Sequence, residues 1–330
     1  MTTTRRQFMK TTAGAAGLTL AAPALLHATG ARLPRLAMQS PGSGPGILIS
    51  HALAIGAFED VADEVAFSLW RTGDEMRANL VSGDVPVTVV PTQGGGSLYN
   101  RGFGVQLVCT LTDGHCGLVA RDVENPQVPD LRGLRVVVPA FNDFTGHMMR
   151  LALAHHGVGL DELELIPATT QMEAGQVFLA GRADAALLAE PGASAVLARG
   201  AADGQTLYRG RQMRDELGEI TGLRASLPQA ALAIRSDFAA DHPGLAEALY
   251  EGLFAAATSL NADPATAAAN AAPRLDRPAP ILETAIPYCN ITAIRASEAR
   301  PVIEALYQAL LDADPGILNN AMPDDGFYAI

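Results

Sequence analysis

The stretch "VVVPAFNDFTGHMMR" (136–150) gathers the side chains best suited to hold a small molecule. Phe141, Asn142, Asp143, Phe144 and Thr145 stand between a run of β-branched residues and a segment of helical character. Two aromatic faces can sandwich a ring or a cation, and a carboxylate can accept hydrogen bonds from an amine or a ring N–H. Glu190, in "LLAEP", offers a second carboxylate after another apolar run. A different chemistry is open as well. Ser43 and Gly44 in "PGSGPG", Gln93, Gly94 and Gly95 in "TQGGGS", and Thr145-Gly146 stand where helices are expected to begin, and free N–H groups at helix starts attract anions. Asp143 and Glu190 oppose an anion unless a cation such as Arg101 or Arg150 pairs with them. The balance of these residues favours an amine or nitrogen heterocycle over a sulfonate or nitrate. The plainer alternative is that the aromatics cover the core and Asp143 only caps its helix.

Catalytic and metal-binding patterns are missing. His51, His115, His147, His155, His156 and His242 are scattered, without HExxH or paired-cysteine spacing, and no GxSxG occurs. His115 and Cys116 adjoin near the same expected cleft, yet neighbours on a strand point to opposite faces and do not converge on one ion. His155-His156 falls at a helix end, where partial positive charge is favourable. The expectation is a binding protein with no cofactor, no metal and no catalytic residues, with His115 near the ligand.

These loops need a scaffold, and the pattern around them supplies one. Strands are expected at 35–40, 63–70, 84–91, 105–111, 131–139, 163–168 and 183–191, with helical segments between them. Gly83, Gly157 and Gly181 act as stop signals, Thr145 is the expected N-cap of the helix after the aromatic loop, and "TQGGGSLYNRG" reads as a glycine-rich loop opening a helix. Alternating strands and helices imply mainly parallel sheets, whose ligand sites lie beyond the carboxyl ends of the strands. "LVSGDVPVTVVP" (80–91) matches "FLAGRADAALLA" (178–189) in form, which suggests two lobes of like construction. After Leu227 one strand is followed mainly by helices, with Leu245, Leu249 and Leu253 forming an apolar stripe.

Bulk properties narrow the class further. The chain has 330 residues, 48 % apolar and 18 % charged, with a net charge of −12. An acidic chain without basic clusters excludes a nucleic-acid partner. Residues 1–30 carry Arg5, Arg6 and Lys10, then an apolar run, then small residues, the order of an export signal. "TRRQFMK" resembles the twin-arginine export motif, so the expected location is the periplasm. In that oxidising compartment Cys109 and Cys116 can pair if "TDGH" turns one strand back on the other, although buried free thiols are the favoured reading for these and Cys289.

Four segments in order carry a family resemblance. "LVSGDVPVTVVP" with "YNRGFGVQLVCTL", "DLRGLRVVVPAFNDFTGHMMRLALAHHGV", "MEAGQVFLAGRADAALLAEPGASAVLARG" and "FAADHPGLAEALYEGLFAAATSLNADPATAAA" resemble periplasmic substrate-binding proteins of ABC transporters, of the nitrate/sulfonate/taurine (thiamine-pyrimidine-synthase-like) type. The resemblance implies an α/β, two-lobed periplasmic-binding-protein fold (type II). Each lobe would be a mainly parallel sheet flanked by helices, and two crossover strands would join them. It implies a first lobe of 32–118 with 232–330 and a second of 125–225. It also implies a monomeric receptor that closes over a small ligand and passes it to an inner-membrane ABC permease; the alternatives are a sensing subunit that presents its closed state to a membrane receptor, or an exported enzyme or metal-binding protein on the same fold. By position the family's ligand contacts carry over to Ser43, Gly44, Gln93 to Gly95 and Phe141 to Thr145. Glu190-Pro191 matches the family's Glu-Pro, but Ala189 stands where tryptophan is frequent, and the one tryptophan, Trp70, lies elsewhere.

Overall fold

The computed structural model describes residues 32–330, so the export segment lies outside the described residues. The chain runs β1 (Leu36–Pro41), α1 (Gly44–Ala54), β2 (Val65–Trp70), α2 (Gly73–Ser82), β3 (Val87–Pro91), α3 (Thr92–Asn100) and β4 (Val105–Asp113). It continues with β5 (Cys116–Arg121), β6 (Arg135–Pro139), α4 (Phe144–His155), β7 (Glu164–Ala168), α5 (Gln171–Leu179), β8 (Ala185–Ala189), α6 (Gly192–Ala202), β9 (Leu207–Gln212) and α7 (Met213–Thr221). Next come β10 (Pro228–Arg235), α8 (Ser236–Asp241), α9 (Leu245–Ala262), α10 (Pro264–Leu275), α11 (Ala279–Cys289), β11 (Ile291–Arg295) and α12 (Ala296–Ala313).

Two sheets result. The first has the order β11-β4-β10-β3-β1-β2 and the second β7-β6-β8-β5-β9. In each, two strands run parallel on either side of a middle strand (β1 or β6), and a strand entering from the other sheet pairs antiparallel beside them (β10 or β5). The two lobes therefore repeat one topology. Helices cover both faces, so strands such as β3 and β8 are apolar without alternation and buried along nearly their whole length.

The chain changes sheet between Asp113 and Cys116, and again between Gln212 and Pro228. The first passage is almost a single strand, with Gly114 at φ +85° and His115 between β4 and β5. No hairpin forms at "TDGH": Cys109 lies in the first sheet and Cys116 in the second, and all three cysteines are buried and free. Burial pushes the Cys116 thiol up to about 12, and those of Cys109 and Cys289 upward too, which keeps them protonated and unreactive. The second passage is α7 and the segment 222–227, not a crossover strand.

Two local expectations are corrected. The helix after β3 begins at Thr92, so the three glycines lie within it and not in a preceding loop. They serve close approach: a Cβ on Gly95 would stand 3.1 Å from Val90 Cγ2, and one on Gly96 2.9 Å from the Tyr307 hydroxyl. The N-cap of α4 is Asp143, not Thr145, because the Asp143 carboxylate accepts from the Phe144 amide at 2.8 Å.

One apolar cluster packs α1, α9, α10 and α11 on one face of the first sheet. A second packs α5 and α6 against the second sheet. The largest is continuous through both lobes, joining Met148, Leu151 and Leu217 of α4 and α7 to Ile303, Leu306 and Tyr307 of α12. The lobes thus share a core on the α12 side, and the candidate site lies where their loops face one another.

Candidate functional site

The loops β1–α1 and β6–α4 have the same build. Each leads from the middle one of its sheet's three parallel strands to an extended N-cap residue, Ser43 (φ −116°, ψ −164°) or Asp143 (φ −119°, ψ −169°). Each places a glycine at the third helical position, with the carbonyl of the residue five earlier packed on it. A Cβ on Gly46 would come within 2.4 Å of the Pro41 oxygen, and one on Gly146 within 1.8 Å of the Phe141 oxygen. Only glycine lets a backbone fold so closely over a helix start. Ala140, exposed at the tip of β6, adopts φ +48°, a conformation costly for a residue with a Cβ.

Each of these loops meets a different loop across the lobe boundary. The Gly44 amide donates to the Glu190 carbonyl at 3.1 Å, joining the start of α1 to the end of β8. A Cβ on Gly73, at the start of α2, would stand 3.1 Å from Asp143 Oδ2 and 3.1 Å from Arg77 Nη1. Helix starts from both lobes (α1, α2, α4 and α6) therefore converge, and their dipoles favour negative charge between them. In α4 the Asp143 side chain takes the Phe144 amide, while the amides of Thr145 and Gly146 meet no protein acceptor among the described residues.

Charges in the cleft are largely paired. Glu190, buried, accepts from the Ser194 amide at 3.0 Å and forms an ion pair with Arg209 of β9. Arg209 also donates to Ser194 Oγ at 2.9 Å and lies 3.7 Å from the Tyr288 ring centre, on α11 of the other lobe. Arg150 lies 4.1 Å from the Phe141 ring centre and donates to Asn142 Oδ1 at 3.2 Å. The guanidinium thus covers the aromatic face that was expected to meet a ligand.

Of the residues expected in the site, Gly44 and Asp143 have neighbours across the lobe boundary, Ser43 adjoins the first, and Phe141, Asn142 and Thr145 adjoin the second. Others turn away. The Gln93 amide donates to the Ile317 carbonyl at 3.4 Å, and its Oε1 is buried without a partner. Gly95 faces Val90 and Leu107. Phe144 is 4 % exposed and belongs to the shared core, so it forms no sandwich with Phe141. His115 is buried at the crossing, within 3.0 Å of Thr112 Oγ1, and its own amide donates to Gln229 Oε1 at 2.9 Å. Burial lowers its pKa to about 4, which leaves it neutral. Sequence reasoning missed Arg209 and Tyr288: one is an arginine in an edge strand and the other a tyrosine near a helix end, and neither spacing signals a site.

The grounds for an amine or heterocycle are corrected by this geometry. That preference required two free aromatic faces and two unpaired carboxylates. Phe144 is in the core, Phe141 is covered by Arg150, and Glu190 is neutralised by Arg209.

No family model matches the chain, and no curated protein matches it by sequence. Solved structures match it closely in shape. An ABC transporter protein from Parabacteroides distasonis superposes with a TM-score of 0.74 at 19 % identity, over 90 % of this chain and 99 % of that one. The alkanesulfonate-binding protein SsuA from Xanthomonas axonopodis pv. citri, bound to MOPS, gives 0.66 at 16 % identity, over 91 % and 98 %. The periplasmic nitrate-binding protein NrtA from Synechocystis PCC 6803 gives 0.61 at 13 % identity, over 76 % and 69 %. The chain has the two-lobed α/β fold of periplasmic binding proteins, as its resemblance implied.

Proposed function

We propose that the protein is a periplasmic receptor that closes over one small organic anion and delivers it to an ABC permease. The observation that carries this reading is the meeting of strand–loop–helix units from the two lobes, with the start of α1 bonded to the end of β8 through Gly44 and Glu190 and the start of α2 beside Asp143 at the start of α4. Such opposed loops at a lobe boundary are where hinge-closing receptors hold their ligands. The anionic class is supported by the unfilled amides of Thr145 and Gly146, by Arg150 beside the same loop, and by the pairing that removes Glu190 as a repelling charge. Similarity to sulfonate- and nitrate-binding proteins agrees with that class. The ligand half of the second lobe is Asn142, Asp143 and Thr145 with Gly146, and that of the first is Ser43, Gly44, Gly73 and Gly94.

A calorimetric and thermal-shift screen over sulfonates, nitrate, carboxylates, amines and pyrimidines tests the proposal. One anion per chain is expected, without chemical change, and a ligand at a hundred times its Kd should add about 2.7 kcal/mol of stability. Binding only to amines, or release of an altered product, would reject it. Export by the twin-arginine route belongs to the same proposal. Replacing Arg5 and Arg6 together by lysine should leave the precursor unprocessed inside the cell, and normal processing would point to the general secretory route.

A further inference from the structure

We propose that His155, His156 and Glu219 form a site for a divalent transition-metal ion on the second lobe, separate from the ligand cleft. A ring nitrogen of each histidine and a carboxylate oxygen of Glu219 lie within 4.8 Å of one another. A tetrahedral zinc ion with bonds near 2.0–2.2 Å sets its donor atoms roughly 3.4 Å apart. Drawing three atoms together from 4.8 Å takes side-chain rotation only, because the side chains of His155 and Glu219 are 36 % and 49 % exposed.

The helices fix this grouping. His155 and His156 end α4, and Glu219 lies in the last turns of α7, which packs against α4. The two imidazoles stand edge to face, with ring centres 5.0 Å apart. Around them the carboxylate oxygens divide their tasks. Glu216 accepts from Arg211 on Oε1 at 2.8 Å and bonds His156 Nε2 through Oε2 at 2.7 Å, which orients that ring. Glu219 gives Oε1 to Arg211 and turns Oε2 toward His155 Nε2 at 3.8 Å. Carboxylates that orient a ligating histidine from behind are a regular part of metal sites. Arg211 meanwhile takes up the charge of the oxygens that face away from the histidines.

Two imidazoles and one carboxylate suit zinc, nickel or copper better than calcium or magnesium, which take oxygen ligands almost exclusively. Three protein donors leave a fourth position for water. The cluster is about 17 Å from the start of α4, at 1.5 Å of rise per residue, so an ion there does not touch the ligand loop.

The test uses the mature protein after treatment with chelator, titrated with Zn(II) by calorimetry and with Co(II) by visible absorption. One ion per chain is expected. His155→Asn and Glu219→Gln should each weaken binding at least tenfold, while His242→Asn leaves it unchanged. Each variant is melted in chelator beside the parent, so that loss of binding is not confused with loss of fold. Absence of binding up to about 1 mM metal, a Kd worth only about 4 kcal/mol, would overturn the proposal. Binding that persists in the His155→Asn/Glu219→Gln double variant would overturn it equally.

Discussion

Arg209 of the second lobe lies over Tyr288 of the first, with its guanidinium carbon 3.7 Å from the ring centre, while the same side chain neutralises Glu190. One arginine therefore ties the lobes together and keeps a buried carboxylate paired. The two tasks separate by mutation. Tyr288→Leu removes only the tie, and should weaken ligand binding by about 0.5–2 kcal/mol through a less favoured closed form. Scattering of the ligand-free variant should then show a larger radius of gyration than the parent. Arg209→Ala also strands the Glu190 carboxylate and should cost about 3–5 kcal/mol in chemical denaturation. Adding Glu190→Gln to Arg209→Ala should restore a large part of that loss.

The loop that begins at Ala140 is held in a strained shape by a glycine. Gly146→Ala drives a methyl into the Phe141 carbonyl, which a Cβ would approach to 1.8 Å. The loop must move, so stability should fall by about 1–3 kcal/mol and ligand affinity should fall with it. Ala140→Gly acts oppositely: at φ +48° it relieves about 1 kcal/mol, and the melting temperature should rise. Urea titrations of both variants check the two signs.

Asp143 decides how the ligand's charge is met. Its Oδ1 caps α4 and its Oδ2 faces α2 of the other lobe. With an anion between the helix starts, Asp143→Asn removes a repulsion while keeping an oxygen for the cap, so the anion should bind more tightly. A carboxylate that instead accepted from a ligand N–H would make the same change weaken binding by about 1.5–3 kcal/mol. Isothermal titration reads the direction.

Acid stability should depend on His115. Burial lowers its folded pKa from the ordinary 6.5 to about 4, so between those values the unfolded chain binds the extra proton. Its contribution is therefore complete above about pH 6.5 and lost as pH falls toward 4, with a slope of at most about 1.4 kcal/mol per pH unit. His51 and His147 shift in the same direction through burial, so His115→Gln should flatten the slope without abolishing it. Denaturation midpoints measured across that range provide the check.

Much of the fold was legible in the sequence because its signals are local. Apolar runs such as "VTVV" and "AALLA" are strands buried on both faces, Gly83, Gly157 and Gly181 stop helices at positive φ, and the alternation of strand and helix names a parallel sheet. The place of the aromatic loop followed from the same logic, since a loop after a buried strand opens at the sheet's carboxyl edge. What each side chain does there did not follow. Phe144 faces the core because α4 packs against α7 and α12, segments far apart in the chain, and Phe141 lies under Arg150 because the loop folds back over the helix that follows it. Glu190 read as a free acid because its partner, Arg209, is brought beside it only when β9 and β8 flank β5. The path of the chain at "TDGH" was equally hidden: a hairpin and a passage between lobes use the same residues, and pairing with β10 on one side and β8 on the other decides between them. Residue types fixed which chemistry was available, and packing between distant elements chose which charges were left to meet a ligand.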